Sequence, residues 1–170
     1  MQIEIVPLTE NDIDAVARLA RVVWQDTYTS IITQAQIDYM LGERYAAPRL
    51  REELQTPGIW WDLARIRDGE GCRLAGFAAS YLTGVPGEMK LDKLYVHPAR
   101  QRAGIGGTLI ATVAGRAREQ GCTSLILAVN KNNARAIGAY RKHGFAVRES
   151  VRVDIGQGFV MDDYIMALSL

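Results

Sequence analysis

Residues 2–7 (QIEIVP) alternate apolar and polar side chains, and this period of two predicts a strand. Thr9-x-x-Asp12 follows as a capping box that marks a helix start. Behind it Ile13, Val16, Ala17, Ala20, Val23 and Trp24 recur at helical spacing and form one apolar face. Thr33-x-x-Gln36 opens a short second helix with Ile37, Met40 and Leu41, and Pro48 suits the first turn of a third that runs to Leu54. The period then changes. Residues 59–66, 73–82 and 89–97 predict three strands, parted by Asp68-Gly69-Glu70-Gly71 and Gly84-Val85-Pro86-Gly87, as in an antiparallel meander. Residues 104–120 predict a helix stopped at Gly121. Residues 124–129 (SLILAV) read as a strand buried on both faces, and residues 133–143 as a helix stopped at Gly144. Strands over 145–153 and 159–168, joined through Gly156-Gln157-Gly158, close the chain. The order β-α-α-α-β-β-β-α-β-α-β-β predicts an α/β (mixed α+β) fold, a mixed sheet flanked by helices with one β-α-β crossover at its centre.

At 170 residues, 48% hydrophobic and 23% charged, the composition is that of a soluble globular chain, and residues 1–170 are expected to form a single domain. The apolar-rich stretch 74–87 is too short to span a bilayer and is broken by Gly and Pro, so no membrane partner is expected. Glu4, Glu10, Asp12 and Asp14 stand where a signal peptide would carry basic residues, and none is expected. Cys72 and Cys122 form no C-x-x-C, which speaks against a disulfide scaffold and a structural metal, and a reduced cytoplasmic setting is expected.

The net charge of +1 hides a division. Residues 93–148 hold ten Lys/Arg and one acid, Glu119, a local +9; the remainder holds 10 basic and 18 acidic residues, a local −8. The basic third lacks interleaved aromatics and a helix-turn-helix pattern, so a nucleic acid is not the expected partner.

Within that third, the strand through Leu94-Tyr95-Val96 runs into His97-Pro98-Ala99-Arg100-Gln101-Arg102-Ala103 and then Gly104-Ile105-Gly106-Gly107 at a helix start. Glycines there let backbone amides approach a ligand, and free amides with the helix dipole favour a phosphate. Arg100 and Arg102 add positive charge. A turn that merely eases helix–sheet packing is the competing reading. A dinucleotide fingerprint fits badly, because its third glycine would fall on Leu109, and no Gly-Lys-Ser/Thr of a Walker loop occurs. Downstream, Asn133, Ala136 and Tyr140 share one helix face that offers an amide, a gap and a phenol, although Tyr140 also suits core packing.

Together these residues resemble a known family. Gln101-Arg102-Ala103-Gly104-Ile105-Gly106 is similar to the Q/R-x-x-G-x-G/A signature of the GNAT N-acetyltransferase superfamily, and the spacing to Asn133 and to Tyr140-Arg141-Lys142-His143-Gly144-Phe145 also fits. The detailed likeness covers about residues 89–147 and the element order nearly the whole chain. The resemblance implies a GNAT-like, mostly antiparallel seven-stranded sheet and acetyl-CoA as co-substrate, with no metal. It implies pyrophosphate contacts from Gln101 and from the amides of Arg102, Ala103, Gly104, Ile105, Gly106, Gly107 and Thr108. The pantetheine arm would run along Leu94, Tyr95 and Val96, where a bulged fourth strand splays from the fifth. Asn133 would bond that arm, Ala136 would allow its approach, and Tyr140 would stand near the thioester sulfur.

The chemistry implied is attack of an amine on the thioester in a ternary complex, with the amide near Val96 stabilising the oxyanion and Tyr140 as general acid. Asp92 is the candidate base, with Glu88 nearby; by the period of two Asp92 shares a face with Leu94 and Val96, while an ion pair with a neighbouring Lys or Arg competes as a reading. His97 reads as a turn residue and His143 as a helix-end imidazole. Trp24 and Tyr28, one turn apart, are the acceptor-site candidates, with core packing the alternative for Trp24. Gly156-x-Gly158 and Asp162-Asp163 would flank the same opening, only one of the two acids facing inward. Asp26, Asp92 and Asp162 would draw a cationic amine, a small molecule or a peptide. The resemblance is compatible with a homodimer through the C-terminal strands, and a non-catalytic acyl-CoA binder or sensor is the alternative function.

Overall fold

A computed structural model describes residues 1–170. β1 (Gln2–Pro7) leads through a 3-10 turn at Glu10–Asp12 into α1 (Ile13–Tyr28), α2 (Gln34–Tyr45) and α3 (Ala47–Gln55). The meander β2 (Ile59–Asp68), β3 (Gly71–Leu82) and β4 (Glu88–Val96) follows, then α4 (Ile105–Glu119), β5 (Ser124–Asn130), α5 (Ala134–Lys142), β6 (Ala146–Gly156) and β7 (Phe159–Ser169). The seven strands form one sheet in the order β1-β2-β3-β4-β5-β7-β6. Every neighbouring pair is antiparallel except β4 and β5, whose parallel pairing needs the crossover that α4 supplies.

The helices divide between the two faces. Ile13, Val16, Ala20, Val23 and Trp24 of α1 are buried as their spacing predicts, against Leu63, Phe77 and Ala79 of the sheet, while Ala17 is only half-buried. Thr33 caps α2 as predicted, its hydroxyl accepting from the Gln36 amide at 3.2 Å. The Thr9 signal opens a 3-10 turn before α1 rather than α1 itself, with the Thr9 amide donating to the Asp12 carboxylate at 3.0 Å. On the opposite face Ile105, Leu109, Val113 and Ala117 of α4 pack on Met89, Leu91, Leu125 and Met166. Arg116 of α4 reaches the strands through two bonds of 2.6 Å to both oxygens of Asp62 on β2, and stacks over Trp60.

Two departures from strict alternation shape the centre of the sheet. Ala79 pairs with Lys93 but Ser80 with Leu91, so Asp92 is an extra residue, a bulge in β4. The alternation therefore changes phase there: Leu91, Leu94 and Val96 pack toward α4, whereas Lys93 and Tyr95 face α1–α3. Asp92 contacts Arg44 of α2, so it does not share the face of Leu94 and Val96 that a period of two assigned to it. Second, β4 and β5 pair only over Glu88–Lys90 and Ser124–Ile126, and then diverge. As a result Ala128 is exposed on a strand whose sequence reads as buried on both faces. Gly76 of β3 permits the close approach of β4 on its other side, since a Cβ there would lie 2.8 Å from the Tyr95 carbonyl oxygen.

The Arg116–Asp62 fork ties the crossover helix to the meander, and Asp62 is buried. Arg116→Ala leaves that carboxylate without its partner and is expected to cost about 3 kcal/mol of unfolding free energy, read from urea titration. An unchanged midpoint would remove the fork from the account of how α4 is held.

Candidate active site

The turn from β4 to α4 is built to present backbone amides. His97 Nδ1 accepts from the Ala99 amide at 3.1 Å, shaping the 3-10 turn at Pro98–Arg100, which agrees with its reading as a turn residue. Gln101 Nε2 donates to the Val96 carbonyl at 3.3 Å and holds the loop against the strand end. Arg102 (φ 63°) and Gly104 (φ 82°) both adopt the left-handed conformation, and Gly104 is the N-cap of α4 with no side chain to cap the first turn. The amides of that first turn, at Ile105, Gly106 and Gly107, are thus without intrahelical partners at the positive end of a 15-residue helix.

These residues edge a cleft of about 600 Å³ in the gap between β4 and β5. Leu94, Tyr95, Val96, Gln101, Arg102, Gly104, Ile105, Gly106 and Gly107 line one side; Asn133, Ala136 and Tyr140 of the α5 region line the other. Two residues of the predicted set do not reach it. Ala103 packs against the core, and Thr108 donates both its amide and its hydroxyl to the Gly104 carbonyl at 3.0 Å, committing them to the helix. Asn133 caps α5, its side-chain oxygen accepting from the Ala136 amide at 3.2 Å. Tyr140 stacks edge-on against Phe145, and burial pushes its hydroxyl well above the ordinary phenol value, so it keeps its proton at neutral pH. His143, at the α5 terminus, packs against Gly107, where a Cβ would meet its ring at 3.0 Å.

A second cavity, of about 970 Å³, lies on the α1–α3 side of the same gap. The two share Tyr28, Asp92, Tyr95 and Ala128, so the gap connects them. Tyr28 and Tyr95 meet there through their hydroxyls at 3.0 Å, and burial raises both. Trp24 packs on Tyr28 with ring centroids 4.4 Å apart and is buried in the core, where it also borders the cavity.

The acids fall out differently from expectation. Asp92 is ion-paired with Arg44 at 3.1 Å and with Lys93 at 2.8 Å, and Lys93 also reaches Glu53 at 3.4 Å. Burial alone would raise the Asp92 carboxyl, but Arg44 and Lys93 hold it at about 2, so it is ionised at neutral pH and paired with both cations. Of its two readings, the ion pair is what the geometry contains. Glu88 bonds Arg148 and Thr83, each at 2.9 Å, and lines neither cavity. Asp26 pairs with Arg135 at 3.5 Å and Asp162 with Lys131 at 2.5 Å, and neither lines the second cavity, so the three acids do not converge. Asp163 does line it, buried and with Oδ1 unpartnered. The alternation of β7 carried that signal only as a choice between two adjacent acids.

No group of three or more His, Cys, Asp or Glu is placed to hold a metal ion, and no helix is long and apolar enough to cross a membrane. Cys72 and Cys122 are both free.

Known proteins resemble this chain in sequence and fold. Residues 21–145 match the family model described as Acetyltransferase (GNAT) family. Spermidine N(1)-acetyltransferase of Thermoplasma acidophilum is 26% identical over 162 residues, 95% of this chain and 97% of that protein. An IAA acetyltransferase of Azospirillum brasilense is 32% identical over 130 residues, 73% of this chain and 80% of that protein. Among solved structures, the PaiA N-acetyltransferase of Thermoplasma acidophilum in complex with coenzyme A superposes with a TM-score of 0.84 at 25% identity, covering 100% of both chains.

The Asp92 pairing has a pH signature. Its folded-state carboxyl lies below the ordinary 3.8, so its contribution is complete above about pH 4 and is lost as pH falls toward 2. Asp92→Asn leaves Arg44 and Lys93 without that charge and is expected to cost about 2 kcal/mol at neutral pH. The gap between variant and wild type should narrow as the pH of the urea titrations falls from 4 toward 2; a gap independent of pH would contradict the assignment.

Proposed function

This chain belongs to the GNAT acetyltransferase family, and we propose that it moves the acetyl group of acetyl-CoA to a primary amine by direct attack in a ternary complex. The observation that carries this reading is the pairing of an uncapped α4 N-terminus with a proton-bearing Tyr140 across one cleft. Free amides at Ile105, Gly106 and Gly107, with Arg100 and Arg102 beside them, suit the pyrophosphate of coenzyme A. The β4 edge beyond Lys90 has no neighbouring strand, and its backbone groups suit the amides of the pantetheine arm. The coenzyme A complex of the Thermoplasma structure supports the same use of this fold.

In this reading the amine enters from the second cavity and meets the thioester near Tyr28 and Tyr95, where the two cavities join. The amine nitrogen bonds to the carbonyl carbon, and an amide near Val96 receives the developing oxyanion. As the carbon–sulfur bond breaks, Tyr140 gives its proton to the leaving sulfur. The nitrogen sheds its surplus proton to solvent, from which the phenolate is restored. An amine acceptor also agrees with the relative named as a spermidine N(1)-acetyltransferase.

Tyr140→Phe keeps the ring and removes the proton. Release of free thiol from acetyl-CoA, with an amine chosen from a broad panel, is expected to fall about 100-fold while coenzyme A affinity stays within about twofold. Undiminished turnover would remove Tyr140 as the acid. Coenzyme A binding without turnover on any amine would instead favour a sensor.

A further inference from the structure

Of the buried charged residues, Asp163 alone takes part in no ion pair, since Asp12 is paired with Arg65. Asp163 stands midway along β7, opposite Asn130 of β5 and Val151 of β6. It is 8% exposed, and its Oδ1 has no hydrogen-bond partner. Its sequence neighbour Asp162 is exposed and paired with Lys131. Asp163 instead lines the 970 Å³ cavity beside Met161 and Ile165, and Val151, Val153 and Ile155 of β6 continue that apolar wall.

None of the protein's own cations lies within ion-pair distance of Asp163. Lys90 lines the same cavity, but its Nζ lies over the Tyr81 ring, 5.9 Å from the centroid. Arg44 is held by Asp92, and Lys93 by Asp92 and Glu53. A carboxylate buried without a donor weakens the fold, so Asp163 is suited to a donor from outside the chain. Burial accordingly pushes the Asp163 carboxyl above its ordinary value, against the opposing charge of Lys90. Its charge is also felt at Tyr28, one of the residues where the two cavities join.

We propose that Asp163 is the acceptor-docking residue, whose carboxylate receives an ammonium group of the acceptor other than the amine that reacts, the alkyl chain between them lying along the apolar β6–β7 wall. An ammonium brings three donors and a full positive charge, which suits an unpaired carboxylate oxygen in a site of low dielectric. The methylene chain behind it suits Val151, Ile155, Met161 and Ile165. The use of this pocket for an acceptor rests on the acetyltransferase reading above; the docking chemistry does not.

The test is a calorimetric titration of n-hexylamine, with 1-hexanol as its neutral counterpart, into the full chain saturated with coenzyme A. The wild type is expected to bind n-hexylamine at least about tenfold more tightly than 1-hexanol. Asp163→Asn should abolish that preference and leave coenzyme A affinity unchanged. Because the variant removes an uncompensated buried charge, its thermal midpoint is expected to equal or exceed that of the wild type, whereas a structural role for Asp163 would lower it. Equal affinity of n-hexylamine for both proteins, absence of any preference in the wild type, or a lowered midpoint overturns the proposal. No turnover enters these measurements. If no amine releases thiol from acetyl-CoA but n-hexylamine still docks through Asp163, the acetyltransferase reading fails and the docking site stands.

Discussion

The early parting of β4 from β5 is the constraint on which the rest of the molecule depends. A parallel pair at the centre of a sheet would ordinarily run the length of both strands and satisfy every backbone group between them. Here the pairing stops at Lys90 and Ile126, after three residue pairs. The bulge at Asp92 accounts for the divergence, because an extra residue bends and twists the strand that carries it. Its consequence is a gap through the sheet, open toward the α4–α5 face on one side and the α1–α3 face on the other. A two-substrate transfer needs such a passage, since the acyl donor and the amine must meet without sharing an entrance.

A gap in a central sheet removes hydrogen bonds and apolar contacts, and other features of the fold compensate for it. Lys93, next to the bulge, is nearly fully buried yet bonded to Asp92 and Glu53 and lies over the rings of Tyr45 and Trp61. Glu53 accepts from the Trp61 indole at 2.8 Å, which links α3 to β2 in the same network. Arg44 adds the outer contact to Asp92. Charges of both signs alternate through this cluster, which fixes the bulge. Beyond it, β3 remains paired with β4 as far as Val96, so the strand is held along one edge even where the other is open.

Much of this was legible in the chain. Helical spacing placed the buried face of α1, and the glycine-rich run placed the start of α4 and the cleft beside it, because both depend on local periodicity and backbone freedom. The order of the elements and the central crossover followed from the same patterns. What escaped was set by non-local pairing. The family resemblance implied a bulged fourth strand, but a bulge is an offset between two strands, so nothing in the sequence of β4 shows that its alternation changes phase at Asp92. For the same reason Asp92 was assigned to the wrong face. Thr108 is a local exception: it stood inside the motif, yet its hydroxyl turned back on Gly104, a contact that hydroxyl side chains in helices make readily. The pair Asp162-Asp163 shows the limit most sharply: alternation required that only one face inward, and only the register against Asn130 and Val151 identified it.

Two of the four carboxylates that line the second cavity, Asp92 and Asp163, are treated in opposite ways. Asp92 is surrounded by cations already present in the chain, and its carboxyl is held low. Its charge stabilises the bulge whether or not a substrate is bound. Asp163 has no donor at Oδ1, and its carboxyl is pushed up. Its charge weakens the free fold and becomes favourable only when a cation arrives. By linkage, a ligand that binds only the folded state stabilises it, so an amine docking at Asp163 would lift the stability of the domain as it fills the site. Such a site discriminates as well as binds: a neutral or anionic molecule of the same shape would leave the buried carboxylate unpaired, and that omission is costlier than the loss of one apolar contact.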